Sequence, residues 1–248
     1  MENKRYIFNT KNYYTFCKCD NSKRGCAVIV PGGGYDHTSK LEAFNVAKVF
    51  NDKGYHAVVL NYREELFMYP EPQKELAFTI DEMRRNPLVD ENLIICIGFS
   101  AGGHLSLSQA CFYKDYGYNS RPNYLVLCYP VISSNDECIH KGSFDNLVGN
   151  NKELRNKLSL ENSIPSDLCD VFLWHNMTDE SVSVLNSLTL MKALKKNNIN
   201  FECHIFPEGC HGMSLSDETT GINDSRKQNP YIARWTNMMF DWLDHKIK

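Results

Sequence analysis

The chain has 248 residues, 42% of them hydrophobic and 23% charged, a balance that fits a soluble globular protein with room for one large core or two small ones. A formal net charge of −3 offers no basic footprint for nucleic acid and no attraction to an anionic membrane surface. No apolar run approaches the roughly 20 residues of a bilayer span, and the polar start Met1–Tyr6 lacks the apolar core of a secretory signal. Neither nucleic acid nor membrane is therefore an expected partner. Of the ten cysteines, Cys26, Cys96, Cys128 and Cys203 sit inside apolar strand-like runs, where cysteine behaves as a small hydrophobe. There is no Cys-x-x-Cys pair and no Cys/His set with zinc-finger spacing, so reduced thiols, a cytoplasmic location and no metal are expected.

In chain order, the aromatic runs Tyr6–Phe8 and Tyr13–Phe16 flank an Asn-Thr-Lys-Asn turn and read as an edge hairpin. Ala27–Val30 is a buried strand ended by Pro31-Gly32-Gly33-Gly34-Tyr35. Leu41–Lys53 has helical spacing with Gly54 as its C-terminal stop, and Tyr55–Leu60 is the next strand. Pro72–Arg85 is a helix. Leu93–Ile97 is a short β-branched run, as befits a strand covered on both faces, and a helix should follow to about Tyr113. Tyr124–Pro130 is another buried strand. Residues 132–168 then turn polar and irregular, with a short helical piece at Lys152–Leu158, and read as a lid-like insertion. The rhythm resumes with strand Val171–His175, helix Val182–Lys196, strand Phe201–Phe206 and a last helix from Tyr231 to about His245. Strands alternating with helices imply an α/β fold with a mostly parallel sheet, helices on both faces and right-handed crossovers. One domain over residues 1–248, with its insertion at about 132–168, is the economical organisation.

The run Gly98-Phe99-Ser100-Ala101-Gly102 stands between the strand ending at Ile97 and the helix after it. A serine in such a tight turn has its hydroxyl pushed out above the sheet edge, and the flanking small residues make room for crowding backbone. The helix behind it aims its N-terminal amides at the same spot. A bare G-x-S-x-G occurs by chance in flexible loops; its placement between strand and helix is what favours a nucleophile here.

A neutral hydroxyl needs a base, and the base needs a carboxylate to fix its tautomer. Functional groups in open parallel sheets gather at the carboxyl ends of strands. Beyond 171–175 that rule selects Asp179, and beyond 201–206 it selects His211, giving the order Ser100, Asp179, His211. Glu180 should start the next helix and point elsewhere, and Asp170 lies at the wrong end of its strand. His104 is tethered one turn from the serine. His175 and His204 lie within strands, as hydrogen-bonded core histidines do. His56, His140 and His245 lack a strand-end context; His37 could line the pocket mouth. The bare amides of Gly33 and Gly34, with that of Ala101, are the expected oxyanion donors. A phosphate loop at the triglycine is the weaker alternative, because no G-K-S/T follows and G-x-G-x-x-G is absent. Tyr35 and Tyr129 are candidate substrate-binding residues, weighed against ordinary core packing.

Four stretches carry a resemblance: Pro31–Tyr35, Asn61-Tyr62-Arg63, Gly98–His104, and the run from Trp174-His175 through Asp179 and Asn186-Ser187 to His204–Gly212. The chain resembles the esterase/lipase side of the α/β-hydrolase superfamily, and within it the small acetyl esterase and acetylxylan-esterase-like proteins. It departs from their pattern at Val30, where relatives often carry histidine, and at Cys210, where they often carry glycine. The resemblance implies hydrolysis of small-acyl esters, acetyl above all, through an acyl-enzyme, with no metal and no organic cofactor. The implied partner is a small-molecule ester, such as an acetylated carbohydrate. The same triad serves an amidase, formamidase or peptidase, and a non-catalytic binding protein on this fold is a third reading. Exposed strand edges and the apolar residues of the last helix (Ile232, Trp235, Met238, Met239, Trp242) leave room for a homodimer, although packing on the sheet is the simpler use of that helix.

Overall fold

The computed structural model describes residues 4–222 and 224–247. Its strands are β1 (Lys4–Tyr6), β2 (Tyr13–Cys17), β3 (Arg24–Val30), β4 (His56–Asn61), β5 (Val89–Phe99), β6 (Tyr124–Cys128), β7 (Asp170–Asn176) and β8 (Phe201–Phe206), joined in one sheet in the order β1-β2-β4-β3-β5-β6-β7-β8. The first two form the expected antiparallel hairpin, and β2 pairs antiparallel with β4. From β4 to β8 every pairing is parallel. After β3 the chain steps out to β4 and then crosses back over β3 to begin β5. The crevice between the carboxyl ends of β3 and β5 is thus a switch point, where open α/β sheets bind ligands.

Each parallel strand feeds alternate side chains to the two faces. In β3, Cys26, Val28 and Val30 join one core cluster while Ala27 and Ile29 join the other. The first face is covered by α2 (Glu71–Arg85), α3 (Ala101–Cys111) and α6 (Leu185–Lys196), and the second by α1 (Phe44–Asp52) and α9 (Trp235–Lys246). On that second face Trp174 and Trp235 stack with ring centroids 5.2 Å apart, so truncating either to alanine is expected to cost about 3–5 kcal/mol.

Several boundaries differ from the sequence expectation. Ile7 and Phe8 belong to the hairpin turn, with Phe8 and Asn9 at φ of 49° and 60°. Helix α6 begins at Leu185, not Val182, because the Ser181 and Val182 amides are taken by the Asp179 carboxyl in a turn before it. The last helix is split at Arg234 into α8 (Pro230–Ala233) and α9, and the apolar face of α9 (Trp235, Met239, Phe240, Trp242, Leu243) is buried against the sheet. That packing takes up the face considered above for a homodimer. A short α7 (Glu218–Gly221) adds an element that no run in the sequence announces. Residues 132–168 are more ordered than their polarity implies: α4 (Lys141–Val148) and α5 (Lys152–Lys157) form there, and Phe144, Leu147, Leu158, Leu160 and Ile164 are buried in the first-face core. The segment is a packed wall over α3. Among the described residues no helix is long and apolar enough to cross a membrane.

Candidate active site

Strand β5 delivers Ser100 at φ 53°, ψ −120°, a conformation that costs a non-glycine residue on the order of 1–3 kcal/mol. The neighbouring glycines are dictated by contact. A Cβ on Gly102 would stand 2.1 Å from the Val30 carbonyl oxygen, and one on Gly98 would stand 2.4 Å from that of Gly102. The elbow is wedged against the end of β3, and only hydrogen fits there. This brings the loop after β3 alongside Ser100.

The other two predicted residues converge on the serine. Ser100 Oγ lies 2.8 Å from His211 Nε2, and His211 Nδ1 lies 2.7 Å from Asp179 Oδ2. Asp179 Oδ1 accepts the Ser181 and Val182 amides at 3.0 and 2.9 Å. Burial opposes ionisation of Asp179, but hydrogen bonding from His175 and His211 and from the Val182 amide outweighs it and holds the carboxyl well below its usual range. The carboxylate thus fixes the proton of His211 on Nδ1 and leaves Nε2 to accept from the serine. The loops that carry Asp179 and His211 are tied to each other: Thr178 Oγ1 accepts the Gly209 amide and donates to its carbonyl, and Asn176 Nδ2 donates to the Cys210 carbonyl.

Gly33, Gly34, Ser100, His140, Ser181 and His211 line a common cavity of about 440 Å³, along with Glu42 and Lys227. Gly33 sits at φ 121°, where a Cβ would strike the His37 carbonyl 2.1 Å away, so the turn is reserved for glycine. Among the described residues, the amides of Gly33, Gly34 and Ala101 donate to no hydrogen bond, whereas that of Gly32 is taken by Glu42 Oε2 at 2.8 Å. The three predicted donors are therefore free. A polar groove of about 580 Å³ adjoins this cavity and shares Ser181, His211 and Lys227 with it.

Two predicted residues are placed otherwise. Tyr35 and Tyr129 are both 0% exposed and have no surface to offer a substrate. At φ of 59° and 38° the backbone turns their side chains inward. Tyr35 hydrogen-bonds His104 Nδ1, whose other nitrogen donates to the Leu158 carbonyl; burial lowers His104 to about 4, so it stays a neutral core histidine. Tyr129 stacks edge-on against His211, with centroids 5.1 Å apart, and its hydroxyl donates to Glu42 Oε1 at 2.7 Å while accepting the Ser214 amide at 2.9 Å.

Sequence reasoning missed Glu42 altogether. It is 3% exposed; one oxygen takes the Gly32 amide and the other the Tyr129 hydroxyl, which in turn holds the Ser214 amide in the loop carrying His211. His175 is the hydrogen-bonded core histidine expected, but its contact with Asp179 was not foreseen: His175 Nε2 lies 3.4 Å from Asp179 Oδ2 and 2.9 Å from the Val182 carbonyl, with Ser187 Oγ on its other nitrogen. The register of the strand, with His175 four residues before Asp179, was the one available signal. Among the described residues no group of three or more His, Cys, Asp or Glu is placed to hold a metal ion.

The model of the prolyl oligopeptidase family matches residues 71–248, a span that holds Ser100, Asp179 and His211 but not the glycine turn. The chain belongs to that family of α/β-hydrolases. Among solved structures, it is 34% identical to an acetyl ester-xyloside bifunctional hydrolase from Caldicellulosiruptor lactoaceticus, with a TM-score of 0.83 over 96% of this chain and 89% of that one. A sugar hydrolase from Lactococcus lactis superposes with a TM-score of 0.85 at 27% identity, covering 100% of this family member and 98% of that chain. Among curated relatives, an acetylxylan esterase from Xylanibacter ruminicola is 29% identical over 80% of this chain and 43% of its own length. An endo-1,4-beta-xylanase B from Butyrivibrio fibrisolvens is 29% identical over 84% of this chain and 35% of its own length. The chain therefore spans less than half of each curated relative.

Proposed function

We propose that this protein is a serine esterase that removes small acyl groups, acetyl above all, from hydroxylated alcohols such as acetylated sugars or xylan fragments. The observation that carries the reading is the chain of two short contacts from Ser100 through His211 to Asp179. Ser100 Oγ attacks the ester carbonyl as His211 Nε2 takes its proton, and the imidazolium is stabilised by Asp179. The oxyanion is received by the free amides of Gly33, Gly34 and Ala101, each donor being worth about 3–4 kcal/mol in such transition states. His211 then gives its proton to the leaving alcohol. Water repeats the sequence on the acyl-serine and frees the acid.

Substrate class follows from the walls and from the relatives. The cavity at Ser100 is lined by glycine, serine, histidine, glutamate and lysine. A long acyl chain would find no aliphatic wall there, whereas a two-carbon group needs none. The similar proteins named for acetylxylan and acetyl ester-xyloside cleavage supply the sugar. Peptide bond cleavage, suggested by the family's name, is the second reading. The ten free cysteines are read as belonging to a reducing compartment, the cytoplasm.

The test is hydrolysis of p-nitrophenyl esters from acetate to octanoate, beside matched amides and peptides, with Ser100→Ala as control. Turnover fastest on acetate and reduced at least 10⁴-fold in the variant is expected. Undiminished activity in Ser100→Ala removes the serine mechanism, and amide turnover equal to ester turnover moves the assignment to the second reading.

A further inference from the structure

The wall at residues 132–168 contributes one side chain to the cavity that the triad reading leaves without a task, His140. It is the N-cap of α4, and its ring nitrogens are unequally engaged. Nδ1 accepts the Ser143 backbone amide at 3.3 Å and faces Ser143 Oγ at 2.8 Å. A backbone amide can only donate, so Nδ1 carries its lone pair and the ring proton sits on Nε2. Among the described residues Nε2 has no partner, and the ring lines the cavity that holds Ser100. Burial, reinforced by nearby His211, lowers the imidazole from its usual range and keeps the ring neutral with that single donor.

Its position relative to the oxyanion turn is fixed. Asn146, on the same helix, donates to the Gly34 carbonyl at 2.9 Å, and His140 Cε1 would lie 3.9 Å from a Cβ on Gly34. Phe144 anchors α4 below, its ring 5.3 Å from that of His104. The donor is thus locked beside the hole, on a helix the hole itself helps to hold. A small acyl group has one strong acceptor, its carbonyl oxygen, and three backbone amides already serve it. An added donor at the rim is complementary to an oxygen on the other half of the ester.

Building on the esterase reading, we propose that His140 is a specificity residue whose Nε2–H donates to an oxygen of the alcohol half, namely the hydroxyl on the carbon next to the acylated carbon of a sugar. A site that hydrogen-bonds a substrate hydroxyl discriminates strongly against analogues without it, because the donor, covered once substrate is bound, is then left unpaired.

The test uses His140→Asn. Asparagine is a preferred N-cap, so its Oδ1 keeps the Ser143 amide paired while the shorter side chain withdraws the donor from the cavity. Expected is a tenfold or greater fall in kcat/KM on a mono-acetylated methyl xyloside, carried mainly by KM, with p-nitrophenyl acetate turnover within twofold of wild type and an unchanged melting temperature. The acetylated xyloside lacking the neighbouring hydroxyl closes the cycle: wild type loses the same factor on it, and His140→Asn loses no more. Equal losses on sugar and p-nitrophenyl esters overturn the proposal in favour of support for the oxyanion turn. Unchanged kinetics on both overturn it as well, leaving the esterase reading intact. Wild-type protein that neither cleaves any ester nor takes up a fluorophosphonate at Ser100 overturns the inference together with the reading beneath it.

Discussion

The elbow around Ser100 and the wall of residues 132–168 border one cavity, and they keep their shapes by different means. The elbow is held by backbone against backbone: glycine hydrogens at 98 and 102 face carbonyl oxygens at distances no side chain tolerates. The wall is held by side chains, with Phe144, Leu147 and Leu158 sunk in the core and caps at His140 and Asn151 starting its helices. Backbone contacts fix a position to tenths of an ångström and admit no variation, which suits a nucleophile. Side-chain packing tolerates exchange of similar volumes, which suits the part of the cavity proposed to meet the variable half of a substrate.

The contrast is open to attack at graded cost. Gly102→Ala should be the most damaging: one methyl group driven toward the Val30 carbonyl forces the elbow apart, and ester turnover should fall at least 100-fold, with a lowered melting temperature in thermal denaturation. Glu42→Gln tests whether the rigid side reaches beyond backbone. The amide that replaces the carboxylate retains one acceptor oxygen where Gly32 and Tyr129 need two, so kcat should drop about 10- to 100-fold, or about 1.4–2.7 kcal/mol, with KM nearly unchanged. Tyr129→Phe should fall in the same range and add little to Glu42→Gln, as steady-state kinetics of the double variant would reveal.

A second buried carboxyl, remote from the cavity, provides the contrast in pH. Glu75 on α2 accepts Asn12 Nδ2 from the hairpin turn and is 1% exposed, and burial pushes it up to about 7. The folded state therefore binds this proton more tightly than the unfolded chain, whose glutamates titrate near about 4.3. Stability contributed by the protonated group is fully present below that value and is lost as pH rises through about 7. Glu75→Gln should thus raise unfolding free energy at pH 8 by about 1–3 kcal/mol and make no difference at pH 4, as urea titrations would measure. Smallest of all, Asn151→Ala in the wall removes the α5 cap and should cost about 1 kcal/mol while leaving p-nitrophenyl acetate turnover intact.

What is legible in the sequence follows the same division. The parallel sheet, the elbow and the strand-end positions of Asp179 and His211 are written in local runs and spacings. The sheet forms as those runs imply, and the three side chains come within hydrogen-bonding distance in sequence. Glu42 is hidden because its two partners, Gly32 and Tyr129, are brought to it only by the fold. His140 lacks a signal because it reaches the cavity from the wall rather than from a strand end. Tyr35 and Tyr129 mislead for a backbone reason: each stands beyond a strand end at positive φ, and its ring is swung into the interior. The apolar residues of 132–168 are spread too irregularly among polar ones to show a period. The helical piece that became α5 is readable there, but α4 and the buried side chains that seat the wall are not.

The sheet places Ser100, the proposed nucleophile, at its centre and His211, the proposed base, at its rim. Among the described residues, strand β8, which leads to His211, pairs with β7 alone, and five of its six residues are only partly buried. Native proteins open from such margins first, with free energies below that of global unfolding. Amide exchange should therefore run faster in β8 than in β5, and mild denaturant should silence the site by releasing His211 while Ser100 still sits in an intact sheet. Inactivation and melting are expected to be separate events in this molecule, with the rim strand setting the first.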